Sequence, residues 1–238
     1  MQAVLEMCTP DGFAFWPVAE IEPFGFLPLS GELSPAEVGA AVMRIIACND
    51  VDPDGDRPPR PADPLDSFLH GLLTLETLYA AGGLRVTDSS TGTTFLPGCC
   101  NGLEEWRDWH QVVDGSGYTS FGHDPDPCAE RFGRTVRLTV DAEQRDSPVI
   151  ELSVTELRHL LVGVERDLAG FFELAADWVS KNLSDRSTPV TAALARVLDL
   201  AAPAVPSTSW GADPTPQTRG GPVKIAETGP TSSRGAGR

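Results

Sequence analysis

The stretch "RTVRLTVDAEQRDSPVIELSVTELRHLLVGVERDLAGFFELAADWVSKN", Arg134 to Asn182, decides the fold. In its first part Val136, Leu138 and Val140 alternate with Arg137 and Thr139, the period of a strand with one buried and one wet face. A polar loop, "DAEQRDS", leads to a second apolar run, "PVIEL" (148–152), its antiparallel neighbour. At Val154 the period changes. Ser153, with Glu156 three positions on, predicts a capping box. Leu157, Leu160, Leu161, Val164, Leu168, Phe171, Phe172, Ala175, Trp178 and Val179 then keep helical spacing to about Asn182. Gly163 and Gly170 each cost about 1 kcal/mol against alanine, and Gly163 marks the place where this helix would break in two. An antiparallel pair feeding a long one-faced helix predicts an α+β fold, an antiparallel sheet packed against several helices.

Upstream, "QAVLEMC" (2–8) and "FAFWPVA" (13–19) flank a Pro10-Asp11-Gly12 turn and read as a hairpin. "SPAEVGAAVMRIIACN" opens with Ser34 as cap, Pro35 at the first helical position and Glu37 closing the box. A second helix is expected from Pro64 to about Ala81, capped by Asp63 and ended by Gly82-Gly83. "LRVTD" and "TTFLP" form a second hairpin, and "YTSF" (118–121) a further strand. Downstream, a short helix from Pro189 to Ala201 is capped by Thr188. The last residues, rich in Pro, Gly, Ser and Thr, lack the apolar surface to offset ordering entropy. The boundaries drawn are an α+β domain over 1–183, a short helical extension over 184–202 and a disordered tail over 203–238.

Charge bounds the function. The chain carries a net −16, and residues 1–183 hold 30 acidic against 12 basic residues. Such a body repels nucleic-acid phosphate and anionic lipid and attracts a basic protein partner. The five cysteines, Cys8, Cys48, Cys99, Cys100 and Cys128, are odd in number and irregularly spaced. The start has no signal-peptide pattern, and no window reaches the about 18 apolar residues of a membrane span. A cytoplasmic protein with reduced thiols is expected. No P-loop, dinucleotide-binding, nucleophile-elbow or zincin motif occurs, and no cofactor is called for.

The chemistry concentrates in "GCCNGLEEWRDWH", Gly98 to His110. Asn101 with Glu104 reads as another capping box, opening a helix that puts Leu103, Trp106, His110 and Val113 on one face with Trp109 beside it. Three functional readings stand beside that architectural one. Cys99 or Cys100, near a helix start, would be a reactive thiol with His110 or His123 as base, opposed by the acids Glu104, Glu105 and Asp108. Cys99, Cys100, His110, His123 and Cys128 have the residue types of a zinc site but lack a C-x-x-C pair. Trp106 and Trp109, partly exposed, would anchor a protein partner.

Two other segments bear on metals. "DVDPDGDRPPRP" matches the first half of a calcium loop through Asp50, Asp52, Asp54, Gly55 and Asp56, then places Pro61 where the bidentate glutamate belongs. A Pro-rich connection explains it better. "FGHDPDPCAE" puts His123, Asp124 and Asp126, with Cys128 behind them, on a loop at a sheet end, a pattern suited to acid/base or metal-assisted hydrolysis. His70 and His159, set among leucines, read as packing or surface groups.

The segment from "TTFLPGCCNGLEEW" to "VERDLAGFFELAADW" resembles acidic proteins of actinomycete genomes. Its element order is similar to that of the SUKH superfamily, many members of which are bacterial immunity proteins against secreted toxins. An "LP…NG" turn beside a helix precedes a strand running into "GHD", then the pair "VRLTV" and "PVIEL", then a helix. The doubled cysteine and the N-terminal elements depart from that pattern. The resemblance implies an α+β binding protein and assigns no catalytic residue. The expectation is thus a non-enzymatic acidic binding protein, possible contacts being Trp106, Trp109, Glu104, Glu105, Asp108, His123 and Asp124. The alternatives are a metal-dependent hydrolase using His123, Asp124, Asp126 and Cys128, or a small-molecule-binding regulator.

Overall fold

Two four-stranded antiparallel sheets and five helices make up the computed structural model, which describes residues 1–53 and 58–200. The fold is α+β. The first sheet has the order β2-β1-β3-β4, from β1 (Gln2–Glu6), β2 (Phe26–Pro28), β3 (Gly82–Thr87) and β4 (Thr94–Phe95). The second is a meander of β5 (Tyr118–Ser120), β6 (Cys128–Phe132), β7 (Thr135–Thr139) and β8 (Val149–Ser153). The helices are α1 (Pro35–Cys48), α2 (Pro64–Thr74), α3 (Trp109–Asp114), α4 (Val154–Asn182) and α5 (Ser187–Val197), with a 3₁₀ helix over Leu103–Asp108 leading into α3.

The deciding stretch folds as its periods dictate. β7 pairs with β8 in the register Val136↔Leu152, Leu138↔Ile150, so the alternating apolar residues share the buried face. Ser153 caps α4 by accepting from the Glu156 amide at 3.0 Å. The helix runs unbroken for 29 residues. Gly163 does not break it, because one glycine costs far less than the packing of the stripe on either side. Gly170 has a packing reason: a Cβ there would stand 3.1 Å from the backbone of Gly31. Leu157, Leu161, Val164, Leu168, Phe171, Ala175 and Val179 are buried, and α4 packs on α1, α5 and β1. Of the boxes predicted from sequence, the one at Ser34 is complete: Ser34 Oγ accepts from the Glu37 amide, and Glu37 accepts from the Ser34 amide at 2.8 Å.

The N-terminal half departs from expectation where partners are distant in sequence. Residues 13–19 form no strand. Phe13, Phe15 and Trp16 instead cluster with Phe68 and Trp178, and Trp16 Nε1 donates to the Gly39 carbonyl at 2.9 Å. The partners of β1 are β2 and β3. Helix α2 stops at Thr74, seven residues short of the expected end. Beyond it the side chain of Asn49 pairs with both backbone groups of Tyr79, at 2.8 and 3.0 Å, and holds the chain extended. Gly82-Gly83 therefore opens a strand. β6 was not expected, since the Asp-Pro steps before it read only as loop. α5 begins at Ser187, so Thr188 lies inside it rather than capping it, and Val190, Leu194, Val197 and Leu198 join the common core.

Among the described residues no helix is long and apolar enough to cross a membrane. The expected tail over 203–238 and the calcium-loop positions Asp54, Gly55 and Asp56 lie outside the described residues. Of that loop's other acids, Asp50 and Asp52 both pair with Arg60.

Candidate thiol and imidazole site

Two turns meet at the site. The first, Pro97 to Asn101, follows β4; the second, Phe121 to Pro127, joins β5 to β6. They pair as a miniature antiparallel ladder. The Gly98 amide donates to the Phe121 carbonyl at 2.9 Å, Cys99 N–H to the His123 carbonyl at 2.6 Å, and His123 N–H to the Cys99 carbonyl at 3.1 Å. Residues exchanging both bonds present their side chains to one face, which brings Cys99 beside His123. Two glycines permit the approach. A Cβ on Gly98 would lie 2.4 Å from the Pro125 carbonyl oxygen, and one on Gly122, at φ +105°, 2.6 Å from that of Cys99. Cys100, at φ +64°, then turns the chain so that its thiol returns toward its neighbour.

The result is a cluster of three exposed ligand-type atoms. Cys99 Sγ, Cys100 Sγ and a ring nitrogen of His123 all lie within 4.8 Å of one another, and the two sulfurs are 3.6 Å apart. His123 Nδ1 pairs with Asp124 Oδ2 at 3.1 Å. Hydrogen bonds from Cys99 and then His123 pull the Cys100 thiol below its ordinary pKa. Cys99, bonded to and repelled by its neighbour, is pushed up. Asp124 and then Cys100 hold His123 above the usual imidazole range. The three groups therefore perturb one another, Cys100 toward its thiolate and His123 toward its protonated form.

The remaining expected site residues fall elsewhere. Trp106 and Trp109 are 2% and 1% exposed. Trp109 stacks on Phe121 at 4.2 Å, and Trp106 Nε1 donates to the Leu198 carbonyl at 3.0 Å. Both are core residues, and neither presents a face to a partner. Asn101 does not cap the following helix. It is buried, and its Nδ2 donates to the Gly82 carbonyl at 2.7 Å. Glu104 turns the other way as well, accepting from the Ala80 amide at 2.9 Å, and its burial raises its pKa. Glu105 and Asp108 are exposed on the 3₁₀ helix. His110 is exposed against Trp106 and is not in the cluster. Asp126 accepts from Ser120 Oγ, and Cys128 is buried on β6, so His123, Asp124, Asp126 and Cys128 do not converge as one ligand set.

A cleft of about 230 Å³ opens beside Cys99, between Glu6 and Phe26 of the first sheet and the turns holding Pro97, Asp124 and Pro125. Glu6 had no signal in the sequence: it is 93 residues from Cys99 and reaches it only because β1 and β3 are paired. Compared with protein-family models, with curated proteins and with solved structures, the chain matches none.

Proposed function

We propose that Cys99, Cys100 and His123 bind a thiophilic transition metal, zinc above all, as a three-ligand site with one coordination position left open. The observation that carries this is the sulfur separation. Two thiolates at about 2.3 Å from a tetrahedral zinc stand about 3.8 Å apart, and these stand 3.6 Å apart before any ion is added. Adjacent cysteines suit this better than a disulfide. Their Cα atoms are about 3.8 Å apart across a trans peptide, short of the roughly 4.4–6.8 Å that a disulfide prefers, so the pair favours the dithiol. Asp124 on the His123 ring is the carboxylate partner that metal-bound histidines characteristically have.

Two cysteines and one histidine with an open position form a ligand set of catalytic zinc, and zinc so held can activate a bound water for attack. A metal-dependent hydrolase fits the site on these grounds, with Cys99, Cys100 and His123 as ligands. The test is equilibrium dialysis against zinc followed by elemental analysis. Wild type is expected to hold one equivalent, and Cys99→Ser, Cys100→Ser and His123→Ala to lose it. Retention of zinc by all three variants would contradict the assignment.

The net −16 supports a second reading, an acidic module that binds a basic protein, including the immunity role that the SUKH resemblance implies. Its contacts would be the exposed Glu105, Asp108, His123 and Asp124 rather than the buried tryptophans. Glu105→Lys with Asp108→Lys would slow association with such a partner, and an unchanged, salt-independent rate would remove this reading.

A further inference from the structure

We infer that the cleft beside Cys99 takes a small ligand with an apolar body and a cationic amine head, the amine lying between Glu6 and Asp124. This names the ligand class of the site proposed above, and it depends on metal binding there only for the ligand's place next to the ion.

The walls set the chemistry. Phe26, Leu96, Pro97 and Pro125 give the cleft an apolar lining, while Glu6 and Asp124 are its two carboxylate residues, with the Cys99 thiol beside them. Among the described residues no lysine or arginine lines it. Arg44 donates to the Glu6 carbonyl oxygen at 2.7 Å without lining the cleft. His123 is turned to the thiols and to Asp124 and is not part of the wall. In the metal-stripped protein a phosphate or carboxylate entering here meets two carboxylates and no lysine or arginine on the wall, the imidazole of His123 being already paired with Asp124, whereas an ammonium meets two opposite charges. About 230 Å³ is below the roughly 300–1,000 Å³ of drug-sized pockets, so the ligand is no larger than a single ring with a short arm. Zinc at Cys99, Cys100 and His123 would sit at the mouth of this cleft, because Cys99 belongs to both. The substrate class that follows is a neutral or cationic amide or ester bearing an amine, and not a phosphate ester.

Ligand-observed NMR with benzylamine, benzamide and benzoate, three probes of one size and different charge, tests this on metal-stripped and zinc-loaded protein. Benzylamine is expected to bind the metal-stripped protein, with benzoate at least about fivefold weaker, the effect of about one partly exposed charge pair. Glu6→Gln and Asp124→Asn should each narrow that gap. Benzoate binding as tightly as benzylamine, a gap untouched by either variant, or no binding of any probe would overturn the inference. Zinc content measured on the same samples keeps the two proposals apart. Amine preference without bound zinc removes the metal and leaves the cleft; bound zinc without amine preference does the reverse.

Discussion

Residues 98–100 and residues 103–113 are nearly adjacent in sequence and have opposite fates. The helical part turns Leu103, Trp106, Trp109, Val112 and Val113 into the core, where Trp109 stacks on Phe121. The turn before it leaves Cys99 and Cys100 in solvent, bonded to a second turn. The same Phe121 begins that second turn. One short region therefore holds the core on one side and two exposed thiols on the other, and the buried tryptophans fix where the thiols stand. Residues that draw attention by size belong to the scaffold, and those that carry chemistry are placed by glycine and backbone pairing.

The largest effect expected from this contrast is on stability. Trp106→Ala and Trp109→Ala should each cost about 3–5 kcal/mol in urea unfolding, while Cys99→Ser and Cys100→Ser should stay within about 0.5 kcal/mol of wild type. Tryptophan variants as mild as the cysteine ones would break the comparison. Next comes the hinge between the two parts. Gly122→Ala forces a side chain into a left-handed residue and against the Cys99 carbonyl, at about 1–3 kcal/mol. It should weaken zinc binding at least tenfold in a protein that still folds, read by competition with a chelating dye.

Glu104 sharpens the boundary further. Glu104→Ala strands the Ala80 amide and should cost about 1–3 kcal/mol. Glu104→Gln keeps an acceptor and removes a buried charge. Because burial raises the folded-state pKa above the ordinary 4.5, the carboxylate weakens the fold at neutral pH. That penalty fades as pH falls through the raised value and is gone below the unfolded one. The Gln variant should match or exceed wild type at pH 7, with its advantage shrinking on acidification; a growing advantage would contradict the buried-charge account. The smallest effect is on the exposed side of α4. Gly163→Ala, with nothing within 4 Å of the added Cβ, should raise stability by about 1 kcal/mol.

What was legible in the sequence was local. The alternation over 136–140, the stripe of α4 and the box at Ser34 each depend on residues a few positions apart, and each folds as its period says. What was not legible depended on distant partners. Nothing near residues 13–19 announces that β1 pairs instead with Phe26–Pro28 and Gly82–Thr87, and nothing near Thr74 announces that Asn49 will hold Tyr79. The site shows the same limit. Cysteines and histidine were visible as ligand types, but spacing argued against them, because their convergence comes from a backbone ladder between two turns. Gly98 and Gly122 were the available signal, and their meaning appears only when the turns meet.

Cobalt substitution tests the central claim most directly. Co²⁺ added to the reduced protein should give thiolate-to-metal charge-transfer bands and the intense visible spectrum of a tetrahedral ion, saturating at one equivalent. Each of Cys99→Ser and Cys100→Ser should abolish the charge-transfer bands, since a site short of one thiolate no longer holds the ion. A weak octahedral spectrum without sulfur bands, unchanged in both variants, would show that the paired cysteines are not a metal site.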